Sequence, residues 1–195
     1  MTVEDAAPAG PLPPWRDLGV PASELRLDPT LVCGQAFRWK ATAPSEWTCV
    51  LWGQAVDLKQ TGDTVLFRVL GSLPTAAANV GSELRGYFQL QTSLADLVAE
   101  WARVDSDFCW QTGVRILRQP VVENLLTFIA SSNNNIKRIT MLVDRLCEHY
   151  GAPIATAKGR FYAFPSVSDI AKDPCIEATF RDLGFGYRAA YYAKS

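Results

Sequence analysis

Histidine is nearly missing. His149 is the only one in 195 residues, so a His-based catalytic triad or a His-rich metal site has almost no material. No apolar run approaches the roughly 20 residues needed to cross a bilayer. The opening Met1-Thr2-Val3-Glu4-Asp5 is acidic and carries neither an apolar core nor an Arg-rich amphipathic stretch. Neither a signal nor a transit peptide is legible there, and a soluble intracellular protein without a membrane partner is expected. Cysteine is sparse and poorly spaced for chemistry. Cys33, Cys49, Cys109, Cys147 and Cys175 are odd in number and form no C-x-x-C pair, which argues against a disulfide framework and a zinc cluster. No metal and no cofactor is expected. Charge of one sign is lacking too, the formal net being -1.

What is present is core material. Hydrophobic residues make up 48% of the chain, and six Trp, nine Phe and six Tyr exclude disorder over most of its length. The size suits one large domain or two small ones. The near-neutral charge hides an asymmetry. Residues 1–130 hold 10 basic and 14 acidic side chains, whereas residues 131–195 hold 9 and 6, so the basic excess lies in the last third.

The order of patterns predicts an α+β fold. Residues 1–14 are rich in Pro, Ala and Gly and read as a disordered tail. Strand-like alternation follows at Ala36–Lys40, Trp47–Trp52, Ala55–Lys59 and Val65–Val69, with turns at Gly53-Gln54 and Thr61-Gly62-Asp63. Helical periods follow. Leu94, Leu97, Val98, Trp101 and Val104 share one face, and Ser93-x-x-Asp96 resembles a capping box. Pro120 opens a helix with Val121, Val122, Leu125, Leu126 and Ile129 as its buried stripe. Another carries Ile136, Ile139, Val143, Leu146 and Tyr150, and a last one spans about Ser168 to Leu183.

The ionisable groups single out no catalytic centre. His149 sits in the last turn of its helix, where a cation suits the dipole, and nothing marks one of the six lysines as buried and activated. Three segments carry more. Gly34-Gln35-Ala36-Phe37-Arg38-Trp39 is either a turn into a strand or a tight backbone approach with rings that could stack. Ser131-Ser132-Asn133-Asn134-Asn135 followed by Ile136-Lys137-Arg138 is either a capped helix junction or a polar wedge able to bond nucleobase edges. Gly184-Phe185-Gly186-Tyr187-Arg188 is either a packing loop or one that presents a ring and a guanidinium to bases.

Taken together, in this order and at these separations, the three segments resemble the eukaryotic 8-oxoguanine DNA glycosylase/AP lyase family of the helix-hairpin-helix superfamily. Ser23–Leu27, Tyr87–Leu90 and Gly113–Gln119 add to the match, which runs from about Pro21 to the last residue. The resemblance implies base excision repair of double-stranded DNA carrying 8-oxoguanine opposite cytosine, in the nucleus or else the mitochondrion. The oxidised base is flipped from the stack because its glycosidic carbon is otherwise out of reach. Cleavage of that bond is followed by β-elimination of the strand. By the match, the backbone carbonyl of Gly34 tests N7, where only the oxidised base carries a hydrogen. Asn133 fills the vacated stack, Arg138 and Arg188 bond the orphaned cytosine, and Tyr187 wedges beside it.

With a disordered tail set over 1–20, the resemblance implies the family's antiparallel-sheet domain with trailing helices over 21–118 and the start of the α-helical glycosylase domain over 119–195. The family's nucleophilic lysine stands in a Leu-Pro-Gly-Val-Gly-x-Lys hairpin followed by a catalytic aspartate. No such string occurs in these residues; the nearest, Asn79-Val80-Gly81-Ser82, has no lysine. An incomplete helical domain, no catalytic residue and no activity of this chain alone are therefore expected. Helix faces, notably Ile136, Ile139, Val143 and Leu146, are expected to lie exposed. The rival readings are a non-catalytic damaged-DNA-binding fragment and an interaction domain with no DNA role, the latter fitting the net charge.

Overall fold

Alternating residues become strands. The computed structural model, which describes residues 10–76, 78–105, 107 and 113–195, contains a five-stranded antiparallel sheet. Its strands are β1 (Arg16–Asp17), β2 (Lys40–Ala43), β3 (Glu46–Leu51), β4 (Gln54–Gln60) and β5 (Val65–Ser72), in the spatial order β1-β5-β4-β3-β2. Leu51 pairs with Gln54, so the tight turn is Trp52-Gly53, one residue earlier than expected, and both residues have positive φ (50° and 74°). That mirror-image turn matches the twist of the strands it joins. The first expected strand is displaced: pairing starts at Lys40, and Ala36–Trp39 are irregular instead.

Alternate residues of β3, β4 and β5 enter one core. Trp47, Cys49, Leu51, Val56, Leu58, Val65 and Phe67 pack on Leu27 and Leu31 of an unexpected short helix, α1 (Leu27–Leu31), and on Val80, Leu84 and Tyr87 of α2 (Val80–Tyr87). The tail over 1–20 needs correction. Arg16 pairs with Phe67, Leu18 and Val20 are each only 5% exposed, and the Arg68 guanidinium lies 4.0 Å from the Trp15 ring centre. Proline-rich composition concealed two apolar anchors. The first nine residues of that tail, and Cys109, lie outside the described residues.

Five helices and a hairpin follow α3 (Leu94–Val104): α4 (Val121–Ser131), α5 (Ile136–Tyr150), β6 (Pro153–Thr156) paired with β7 (Gly159–Tyr162), α6 (Val167–Ala171), α7 (Ile176–Asp182) and α8 (Ala189–Tyr192). Ser93 does cap α3, its side chain accepting from the Asp96 N–H. The single helix expected over Ser168–Leu183 is broken into α6 and α7 at Asp173-Pro174, because proline lacks a donor and disfavours helix in the residue before it. The β6–β7 hairpin, absent from the sequence reading, is fastened to the sheet by Lys158, whose Nζ lies 2.7 Å from the buried Asp57 carboxylate. Arg68 (2.8 Å) and the Thr48 hydroxyl (2.6 Å) complete that carboxylate's partners. No helix among the described residues is long and apolar enough to cross a membrane.

Two expected stripes are not buried as expected: that of α4 is rotated and that of α3 is largely exposed. In α4 the buried residues are Glu123, Leu126, Thr127 and Ala130, while Val121 is 80% exposed. The cause is polar: Glu123 turns inward to meet the buried guanidinium of Arg38 at 3.2 Å. In α3 only Leu94 is buried. The face of α5 expected to lie bare is closed instead. Ile139, Val143 and Leu146 join Leu142, Phe37, Phe180, Phe185 and Tyr192 in a second core, leaving only Ile136 of the four exposed. The aromatic rings of α7, α8 and the loop between them supply the cover.

Glu24 ties the start of α3 to the sheet core. Its carboxylate accepts from the N–H groups of Leu94 (2.8 Å) and Ala95 (3.0 Å) and pairs with Arg115. Burial opposes its charge, but these donors outweigh it and hold the carboxyl below the ordinary range. A depressed folded pKa gives stability that is present above the unfolded value and lost as pH falls through the folded one. The melting temperature is therefore expected to drop between about pH 4.5 and lower values. Glu24→Gln should flatten the part of that drop due to this group. A Glu24→Gln variant with the full acid dependence of the wild type would refute the assignment.

Candidate nucleic-acid interface

Each asparagine of the tri-Asn turn has a separate task. Asn133 takes the left-handed conformation (φ 46°), which Asn tolerates better than most residues and which reverses the chain between α4 and α5. Asn134 donates its amide to the Ala130 carbonyl at 2.9 Å, satisfying the end of α4. Asn135 caps α5, its side chain accepting from the Arg138 N–H at 3.0 Å. The Asn133 side chain makes no hydrogen bond among the described residues and is exposed. A polar finger is thus held up by its two neighbours.

The loop after α7 stands against this turn. Gly184 and Gly186 both have positive φ (95° and 60°), and a short 3-10 turn spans Gly186–Arg188. Tyr187 donates its hydroxyl to the Ser132 carbonyl at 3.1 Å and is 48% exposed. Arg188 is only 3% exposed. Its Nε donates to the Ser132 carbonyl (2.9 Å) and its Nη2 to the carbonyls of Ser132 and Asn133 (3.0 Å to Asn133). Its guanidinium carbon also lies 4.5 Å from the centre of the Tyr187 ring. In the free chain Arg188 is therefore a clamp on the turn, not the exposed reader that the resemblance suggests. Arg138, by contrast, is exposed and reaches the Gly184 carbonyl only at 3.5 Å, the limit of a hydrogen bond.

Gly34 is brought to the same place from the other half of the chain. Its φ of 85° belongs to the left-handed region, and a Cβ built there would sit 3.6 Å from the Ile136 side chain, the first residue of α5. Space is adequate; the backbone conformation is what asks for glycine. The rest of this segment is the joint between the two cores. Phe37 is buried among helices, whereas the Trp39 Nε1–H donates to the Tyr87 hydroxyl (3.1 Å) beneath the sheet. Arg38 donates to the carbonyls of Val50 (2.9 Å) and Tyr162 (2.6 Å) as well as pairing with Glu123. Gln35 accepts from the Leu117 N–H (2.9 Å) and donates to the Arg115 carbonyl (2.8 Å).

All five residues singled out from sequence, Gly34, Asn133, Arg138, Tyr187 and Arg188, are thus gathered at one edge of the molecule. Lys137, Arg138, Arg145 and Arg188 form no ion pair among the described residues, so their charges stay uncompensated beside the exposed asparagine. Such an edge offers cationic donors for phosphate and base acceptors together with a polar wedge. Burial disfavours the thiolate in the two core cysteines, pushing Cys147 up to about 11 and raising Cys49 further. Sequence reasoning missed Arg145, which donates to the Leu183 carbonyl at 3.0 Å. Its position seven residues after Arg138, on the same face of α5, was the available signal.

Known proteins resemble this chain in sequence and fold. The family model described as the N-terminal domain of 8-oxoguanine DNA glycosylase matches residues 17–125. The N-glycosylase/DNA lyase OGG1 of Arabidopsis thaliana is 34% identical over 186 residues, covering 92% of this chain and 50% of that protein. The N-glycosylase/DNA lyase of Saccharomyces cerevisiae is 34% identical over 191 residues, covering 89% and 49%. The chain spans about half the length of these curated relatives. Among solved structures, the Clostridium acetobutylicum 8-oxoguanine glycosylase/lyase bound to duplex DNA with cytosine opposite 8-oxoguanine superposes with a TM-score of 0.73. Its sequence is 26% identical, and the match covers 86% of this chain and 57% of that one. With the family model spanning more than half of its residues, and the sheet, joint and asparagine turn in place, the chain belongs to the 8-oxoguanine DNA glycosylase family through its N-terminal domain.

Proposed function

We propose that this chain is the lesion-reading part of a base excision repair glycosylase acting on 8-oxoguanine opposite cytosine in double-stranded DNA, in the nucleus or else the mitochondrion. In the whole protein the base is flipped out, its N-glycosidic bond is cleaved, and lyase chemistry nicks the strand. The observation that supports this most is the convergence of Gly34 with the Asn133 turn and the Tyr187–Arg188 loop, segments about 100 and 150 positions apart. Asn133 occupies the vacated stack. Gly34 reads the hydrogen on N7 of the oxidised base. Arg138 is free to bond the orphaned cytosine with Tyr187 beside it, and Arg188 contributes to that base through the donors its clamp leaves at Nη1. These 195 residues bind the lesion without excising it.

Equilibrium binding to two duplexes, one with 8-oxoguanine opposite cytosine and one undamaged, tests the reading. The chain should prefer the lesion, and affinity should fall linearly with the logarithm of salt concentration. Gly34→Ala strains a left-handed backbone position and should remove the preference, which one hydrogen bond of about 0.5–1.5 kcal/mol makes roughly two- to twelvefold. Equal affinity of the wild type for both duplexes would count decisively against lesion reading.

A further inference from the structure

The two segments of the interface are not joined by any strand pairing; side chains bonded to backbone carbonyls hold them in register. Tyr187 and Arg188 hold the turn from the loop side, on Ser132 and Asn133. From the α5 side the loop is held by Arg138 on Gly184, at 3.5 Å, and by Arg145 on Leu183, at 3.0 Å. Arg138, Tyr187 and Arg188 are the groups that must also serve DNA. Arg145 is the tie that base recognition leaves in place, and the shorter of the two.

Three features fit Arg145 to this task. The Leu183 carbonyl lies at the C-terminal end of α7, where backbone carbonyls carry partial negative charge and favour a cation. The next residue, Gly184, has φ 95°, and a Cβ there would come within 2.8 Å of the Arg145 Nη1. Glycine thus opens the space in which the guanidinium lies. Arg145 also has no ion-pair partner among the described residues, so no carboxylate competes with the carbonyl for its donors.

We propose that Arg145 is a positioning residue for recognition of the base opposite the lesion. Through the Leu183 carbonyl it fixes where the Gly184–Arg188 loop stands relative to the Asn133 turn, and so where Tyr187 and Arg138 meet the orphaned base. The inference rests on the lesion-reading function proposed above. Small displacements of a held loop change the coupling between groups it carries, by an amount equivalent to roughly two- to thirtyfold in a binding ratio.

The test measures affinities of the 195-residue chain for duplexes with 8-oxoguanine opposite cytosine and opposite adenine, at one salt concentration. Wild type, Arg145→Ala and Arg145→Lys are compared. Wild type should favour cytosine, Arg145→Ala should lose about three- to tenfold of that ratio, and Arg145→Lys should regain much of it, since an ammonium can donate to the same carbonyl. If the alanine variant unfolds, Arg145→Met keeps the apolar stem and gives the same reading. An unchanged ratio in both Ala and Met variants, or equal weakening on both duplexes, would overturn the proposal and leave Arg145 as a structural or phosphate-binding residue. A wild type that does not distinguish the two duplexes would instead bring down the parent reading, and this inference with it.

Discussion

Borohydride treatment of the 195-residue chain with 8-oxoguanine DNA is expected to trap no covalent adduct. Single-turnover release of the oxidised base should be at least about 10³-fold slower than for a full-length relative, in keeping with what loss of a nucleophile costs. A Schiff-base nucleophile needs a neutral amine, which proteins obtain by desolvation or by a neighbouring cation. The lysines here are arranged the other way. Lys40, Lys59, Lys158 and Lys172 are ion-paired with Asp144 (2.8 Å), Glu46 (3.0 Å), Asp57 (2.7 Å) and Asp169 (2.8 Å). The remaining two of the six, Lys137 and Lys194, are exposed to water. A trapped adduct, mapped by peptide mass to any of the six, would show that one of them is activated on binding DNA.

Arg38→Ala is expected to destabilise the fold by about 3–5 kcal/mol, as removal of one partner from a buried ion pair does. For a chain of this size that is a fall in melting temperature of roughly 10 °C. Arg38 links three elements: the β3 carbonyl of Val50, the β7 carbonyl of Tyr162, and Glu123 on α4. Burial opposes its charge, but Glu123 beside it more than restores the preference for the protonated form. Without Arg38, Glu123 would be a buried carboxylate with no counter-charge. The double variant Arg38→Met, Glu123→Leu should recover part of the loss, though not all, since two carbonyls remain without their donor. Chemical denaturation of the wild type, Arg38→Met, Glu123→Leu and the double variant gives the coupling energy. A loss below about 1 kcal/mol for Arg38→Ala would mean that the joint between the cores is held by Phe37 and its apolar neighbours alone.

The sequence by itself determined the order of sheet and helices. It also determined the positions of most strands, because alternation at Trp47–Leu51 and Val65–Val69 is a local property that burial on one face simply uses. The Ser93 cap and the stop of α4 in the asparagine run were local as well. So was the candidate interface as a set of residues, since its three segments are distinctive in themselves.

Rotation of helices was not local. Val121, Val122 and Leu125 promised a buried stripe on α4, but a guanidinium from residue 38 drew Glu123 inward and turned those apolar residues out. Closure of α5 was not local either, because its cover comes from Phe37, Phe180, Phe185 and Tyr192, far away in sequence. The same holds for the anchors Leu18 and Val20 in a proline-rich stretch, which become strand neighbours only once β5 is there to receive them. Arg188 is the sharpest case. Its type and place in the chain suggest an arginine offered to a base, yet only the folded turn supplies the Ser132 and Asn133 carbonyls that bury it. Residue type and spacing record what a side chain can bond; the partner it does bond is decided where distant segments meet, because a buried donor must take an acceptor within reach or bear the full cost of desolvation.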